Sequence, residues 1–236
     1  MDPRMSDLKA LKFIVLSLFP EIVNGFFQSS LMKKAVERGL IQIEFVNIRD
    51  FALDKHKTCD DIPYGGGAGM VLKPEPLAMA LDSVGAGQKR TLYPTPSGRL
   101  FTQSTARELA KEDELVFICG RYEGIDQRII DEYVDDEISI GDYVLSSGEI
   151  ASLVMIDAIY RLREGVIKAR SLEEESFSEG FFLEYPQYTR PEVFRERQVP
   201  EVLLSGHHKN IAAWRREQSI EKTKRLRPDL LIQNQG

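Results

Sequence analysis

Two kinds of hydrophobic pattern alternate along the chain. Residues 12–19 (KFIVLSLF) and 115–119 (LVFIC) are almost wholly apolar and are closed by Pro20 and Gly120. Short apolar runs bounded in this way predict strands buried on both faces. Residues 41–48 alternate imperfectly, with Ile41, Ile43, Phe45 and Ile48, and predict another strand. Leu92 and Tyr93 begin a short strand that PTPSG at 94–98 stops, and residues 137–140 form a further strand end. Elsewhere the apolar spacing lengthens to three and four. Phe27, Leu31, Ala35 and Val36 predict one helix over 26–38, with Gly39 as its C-cap. Helices are also predicted over 73–81, with prolines in the first turn, and over 102–109, 125–133 and 147–163. Strands alternating with helices predict an α/β fold with a mainly parallel sheet and helices on both faces.

The pattern breaks at residues 164–183 (EGVIKARSLEEESFSEGFFL), which are charged and rich in Ser and Gly and read as a linker. The remaining stretch is short, basic and helical in pattern, anchored by apolar residues 202–204 and 211–214. The expected organisation is a domain over 1–167, a linker over 168–183 and a helical domain over 184–236. Charge separates along the same division. The whole chain is net −6, whereas residues 190–236 hold ten basic and six acidic residues. A basic appendage on an acidic body suits a polyanion, although a solvated helix of mixed charge reads the same way.

Composition narrows the classes. With 236 residues, 42% hydrophobic and 29% charged, the chain is ordinary globular protein, and no run approaches a membrane span. The apolar run near the start ends at Phe19-Pro20 without a small-residue cleavage site, so it reads as a buried strand and not a signal peptide. Cys59 and Cys119 match no metal or disulfide spacing and read as buried thiols in a reducing cytoplasm. His56, His207 and His208 form no ligand pattern, so no protein metal site is expected.

In an open α/β sheet, ligands bind beyond the carboxyl ends of the strands. Three turn-rich loops fall there: residues 94–98, 120–124 (GRYEG) and 141–148 (GDYVLSSG). Glycine lets a ligand approach the backbone, and three such loops predict one shared pocket. No Walker A, GxGxxG or GxSxG motif is present, which disfavours a phosphate cradle. Backbone groups beside Tyr143, Val144 and Leu145 suit an adenosine-bearing ligand that carries no triphosphate.

The segments SLFPE (17–21), RDF (49–51), DDIPYGGGAGM (60–70), CGRYEGID (119–126), SIGDYVLSSGE (139–149), ESFSEG (175–180), YTRPEV (188–193) and VPEVLLSGHH (199–208) resemble the bacterial tRNA (guanine-N1)-methyltransferases of the TrmD family, in the same order and over nearly the whole chain. The resemblance implies methyl transfer from S-adenosylmethionine to N1 of guanine 37 in tRNA, next to the anticodon. It also implies a SPOUT domain with a trefoil knot, which pattern reading alone would not predict. It further implies a cytoplasmic homodimer whose active sites are shared between subunits, with Mg²⁺ a possible further cofactor. Two competing readings are an RNA-binding protein that has lost activity and an enzyme that methylates another RNA.

By resemblance, Tyr93, Pro94, Thr95 and Pro96 belong to the first knot loop. Gly120, Tyr122, Glu123, Ile140, Gly141, Asp142, Tyr143, Val144, Leu145 and Gly148 complete the cofactor site. Gly65, Gly66 and Gly67 approach the tRNA, and Arg190, Arg215 and Arg216 bind it. Arg161 stands near the target guanine. Glu175 occupies the place of the family's general base, an Asp immediately before Ser-Phe, in a loop one residue shorter than in some relatives. Ser147 stands where many members have a second Gly, and Ala68 replaces the more usual Pro.

Overall fold

A computed structural model of the chain describes residues 9–168, 171–172, 175–178 and 182–232. It divides into two compact units that part between Ile167 and Lys168. In chain order the first unit contains β1 (Leu11–Ser17), α1 (Glu21–Phe27), α2 (Ser30–Glu37), β2 (Ile41–Asn47), β3 (Asp60–Asp61), β4 (Val71–Leu72), α3 (Pro74–Ser83), β5 (Arg90–Leu100), α4 (Gln103–Leu109), β6 (Glu114–Ile118), α5 (Gln127–Tyr133), β7 (Asp136–Ser139) and α6 (Gly148–Tyr160). Five strands form one sheet in the order β2-β1-β6-β5-β7, and every neighbouring pair is parallel.

The unbroken apolar runs have a simple cause. On β1, Leu11, Phe13 and Val15 enter a core shared with Val23, Met32, Leu109 and Ile156. Ile14 and Leu16 enter a second core with Leu77, Leu81 and Ile129. Side chains of a strand point alternately to its two faces, and both faces here are covered by helices. Strand β6 divides in the same way, Leu115 and Phe117 on one side and Val116 and Ile118 on the other.

Two expected elements differ from the structure. The helix expected over 26–38 is two helices, α1 and α2. The chain breaks at Ser29, which is extended (φ −131°, ψ 157°) and caps α2, and at Ser30, which has φ +53°. The Ser29 hydroxyl donates back to the Gly25 and Phe26 carbonyls of α1 (both 3.4 Å), and the four-residue step from Phe27 to Leu31 bridges the break without disturbing the apolar spacing. The strand expected to stop at Tyr93 continues as β5. Pro94 and Arg99 both register with Ile138, so residues 95–98 bulge out before the ladder resumes. Arg90 Nε and Arg99 Nη2 both donate to the Asp136 carboxylate at 2.7 Å, which ties the two sides of the bulge to β7. Burial raises the Asp136 pKa, but the two guanidiniums outweigh it and hold the carboxyl below its usual range.

The second unit was expected to be helical throughout. It carries a hairpin, β8 (Val193–Phe194) and β9 (Arg197–Gln198), followed by α7 (Glu201–Leu204), α8 (His208–Leu226) and α9 (Asp229–Ile232). Arg195 and Glu196 turn the hairpin with φ of +49° and +65°. Asn and Gly are the usual residues in such turns, so the sequence gives no hairpin signal here. Within this unit Leu183 N donates to Thr223 Oγ1 (2.9 Å) and Lys222 Nζ to the Glu184 carbonyl (2.9 Å).

Candidate active site

The bulge within β5 and the carboxyl ends of β6 and β7 open into one cavity of about 240 Å³. Tyr93, Pro94, Thr95, Pro96, Gly120, Tyr122, Glu123, Ile140, Gly141, Tyr143, Val144, Leu145 and Gly148 all line it. Asp142 is exposed and is not among the lining residues. Arg121, Gly124, Ser146 and Ser147, within the loops expected to form the pocket but not singled out as its lining, also line the cavity, as do Ile138, Ser139 and Ala151, which lie outside those loops. For Arg121 and Gly124 the signal was their place within GRYEG. Ala151, one helical turn into α6, carried none.

Glycine makes the wall possible. Gly148 N donates to the Gly120 carbonyl at 2.8 Å, and a Cβ on Gly148 would lie 2.9 Å from Gly120 N. A Cβ on Gly120 would lie 2.8 Å from Tyr93 Cε2. The loop after β6 and the start of α6 therefore meet backbone to backbone, and the Tyr93 ring packs against Gly120. After β7, the Ser139 hydroxyl brackets Gly141: it donates to the Gly141 carbonyl (3.1 Å) and accepts from Gly141 N (3.2 Å). Tyr143, Val144 and Leu145 remain exposed at the rim, Val144 by 85%. Burial raises the Tyr93 phenol pKa further above neutrality.

The glycine-rich loop adjoins the same cavity. Glu123 N donates to the Met70 carbonyl and Leu72 N to the Gly124 carbonyl, each at 3.0 Å. Gly69 (φ +90°) faces Glu123 so closely that a Cβ would stand 2.5 Å from Glu123 Oε1. Gly65, Gly66 and Gly67 also have positive φ, with open space around them.

Beside the cavity lies a buried charge cluster that joins four of the sequence segments. Glu149, fully buried in the first turn of α6, accepts from Ser17 Oγ at 2.6 Å. Arg121 Nε lies 3.5 Å from Glu149 Oε1, and its guanidinium sits 4.3 Å from the centroid of the Phe19 ring. Arg49 approaches the same ring at 5.3 Å. Among the described residues neither Arg121 Nε nor Glu149 Oε2 has a hydrogen-bond partner, so Glu149 depends on Arg121 for its countercharge. Removing one half of a buried pair strands the other. Arg121→Ala should therefore cost about 3–5 kcal/mol in urea unfolding. Adding Glu149→Gln, which can still bond Ser17, should restore part of that loss. No loss in Arg121→Ala would show that Glu149 is stabilised by something else.

Arg161 caps the far end of α6. Thirteen residues separate it from Gly148, which places it about 20 Å along the helix from the cavity of its own chain. Glu175 belongs to the second unit, where its carbonyl accepts from Ser178 Oγ at 2.6 Å. Its neighbours Glu173 and Glu174 lie outside the described residues. Arg190 and Arg216 are exposed, and Arg215 sits 4.5 Å from the Tyr185 ring centroid. Both cysteines are buried, and burial pushes the Cys119 thiol up to about 12, too high for a nucleophile at neutral pH. Among the described residues no group of three or more His, Cys, Asp or Glu could hold a metal ion, and no helix is long and apolar enough to cross a membrane.

An open parallel sheet with a loop-lined cavity at its strand ends defines an α/β protein of the class whose ligand sites lie at the carboxyl edge of the sheet. Comparison with known proteins gives the family. The sequence profile of the tRNA (guanine-1)-methyltransferase TrmD family matches residues 11–233. A tRNA (guanine-N(1)-)-methyltransferase of Treponema denticola is 67% identical over 221 residues, covering 94% of this chain and 90% of the relative. The protein of that name from Borrelia duttonii is 60% identical over 223 residues, covering 94% and 93%. That of Treponema pallidum is 64% identical over 217 residues, covering 92% and 86%. The chain belongs to the TrmD family.

Proposed function

We propose that this protein methylates N1 of guanine 37 in tRNA, with S-adenosylmethionine as donor, as a cytoplasmic homodimer. The observation that carries this reading is the cavity, in which glycine backbones, exposed apolar side chains and the carboxylate of Glu123 converge. These residues fit the donor. Val144 and Leu145 offer apolar surface to an adenosine, the glycine backbones offer close amide and carbonyl contacts, and Glu123 offers a countercharge to a sulfonium. When bound, the cofactor supplies an electrophilic methyl group. The loops at 93–96, 120–124 and 140–148 would form the knot of a SPOUT domain.

This chain's own residues handle the proton. Guanine N1 is protonated at neutral pH, so its lone pair is not available to attack. Glu175 removes that proton, and Arg161 stabilises the negative charge that develops on O6. The glycine-rich loop, laced to Glu123, presents the guanine to the cavity. Arg161 lies too far along α6 to serve the cavity of its own chain, and Ile150 and Val154 leave exposed apolar surface on that helix. Both features favour a dimer in which α6 of one subunit completes the site of the other.

The test is transfer of radiolabelled methyl to a tRNA transcript carrying guanines at 36 and 37. Incorporation should vanish when guanine 37 is replaced by adenine. Labelling that survives that replacement would overturn the position. The basic residues 190–236 would hold tRNA through its phosphates, so affinity should fall steeply with salt, as counterion release requires. Salt-independent affinity would contradict that role.

A further inference from the structure

We propose that the second unit holds a subsite for one unpaired base of the RNA, in the cavity between residues 185–192 and α8. The inference rests on the reading that tRNA is the substrate. The cavity measures about 700 Å³ and is bordered by Tyr185, Tyr188, Trp214, Arg190 and Arg215. Its rings do not belong to a closed core: among the described residues of this unit only Thr223 and Leu230 are buried. Tyr188 is 49% exposed, and its ring centroid lies 6.3 Å from that of Trp214 at an angle of 54°. The Arg215 guanidinium lies over Tyr185 at 4.5 Å, a second flat surface at the cavity edge.

This chemistry suits a nucleobase. Bases stack on aromatic faces and on guanidinium planes, and such stacking contributes about 1–3 kcal/mol per base. The charge agrees with that occupant, because residues 190–236 carry four more basic than acidic residues and Arg190 is exposed at the mouth. A phosphate contact alone needs cations and no cavity. A base within a stem is paired and stacked and cannot enter, whereas one splayed from a loop can. The subsite therefore distinguishes an anticodon loop from duplex RNA, a selectivity that phosphate contacts cannot supply.

The experiment uses the full chain and anticodon stem–loop RNAs carrying 2-aminopurine at each unpaired position in turn. Binding should quench one position by stacking. Tyr188→Ala should abolish that quenching and weaken affinity about tenfold to a hundredfold, which corresponds to the loss of one stacked base. The dependence of affinity on salt should keep its slope, because no phosphate contact is lost. Tyr188→Phe keeps the ring and should keep both quenching and affinity. Quenching at no position, quenching that survives Tyr188→Ala, or a shallower salt slope in that variant would overturn the subsite. A halved sedimenting mass in Tyr188→Ala would also overturn it, by showing that the cavity contacts a second copy of the chain. Methylation of the same RNAs by the wild-type chain is measured in parallel. Methylation without quenching overturns the subsite alone; quenching without methylation overturns the methyl-transfer reading alone.

Discussion

Glu175→Gln should lower single-turnover methylation by roughly 10²–10⁴, the usual contribution of a general base, and leave cofactor affinity unchanged. Glutamine keeps the size and most of the hydrogen bonding of glutamate but cannot accept a proton from N1. Cofactor binding should be spared because Glu175 is not among the residues that line the cavity. Glu is one methylene longer than the family's Asp, and the shorter loop before Ser176 would compensate for that length. Glu173→Gln and Glu174→Gln are the controls and should be nearly silent. Full activity in Glu175→Gln with loss in Glu174→Gln would move the base by one residue. Full activity in all three would remove Glu173, Glu174 and Glu175 from the mechanism. The same variant tests the shared site. Mixed with Arg161→Ala protein, Glu175→Gln should regain activity if one subunit supplies the arginine and the other the carboxylate, and should stay inactive if both come from one chain.

The legible parts of the fold were those in which one physical cause dominates. Strands β1 and β6 are covered on both faces, so their apolar runs were unambiguous. The loops after β6 and β7 could be placed because an open α/β sheet has one ligand-binding edge. The missed features depend on long-range pairing. Strand β5 resumes after residues 95–98 because Arg90 and Arg99 converge on Asp136, which stands 37 residues beyond Arg99. The break between α1 and α2 was hidden because Phe27 and Leu31 keep helical spacing across it.

The site divides in the same way. GRYEG and GDYVLSSG were visible as glycine-rich turns. SLFPE and RDF were visible only through family resemblance, because their chemistry is cooperative. Ser17, Phe19 and Arg49 are unremarkable until the sheet brings them to Arg121 and Glu149. Glu149 itself sits in a helix first turn, where a solvated acid is ordinary, and nothing in the local pattern signals that it is fully buried.

Gly141→Val should abolish measurable cofactor binding, a loss of at least a hundredfold by calorimetry, while the protein stays folded. Gly141 has φ +147°, a conformation that a β-branched residue does not tolerate, and an added Cβ would lie 2.5 Å from Tyr143 Cε1. The side chain of Tyr143 could move aside, but the backbone angle could not be kept. Relaxing it breaks the bracket between Ser139 Oγ and the Gly141 backbone and displaces the rim residues Tyr143, Val144 and Leu145. Both cores lie below this loop and do not include Gly141, so global stability should change little. Gly66→Ala provides the comparison. Gly66 has φ +77° with nothing within 4 Å of an added Cβ, and it lies outside the cavity lining. Its substitution should cost about 1–2 kcal/mol of local strain and leave cofactor affinity intact. Unchanged affinity in Gly141→Val would mean that the cofactor does not rest on the loop after β7, and the cavity assignment would fall with it.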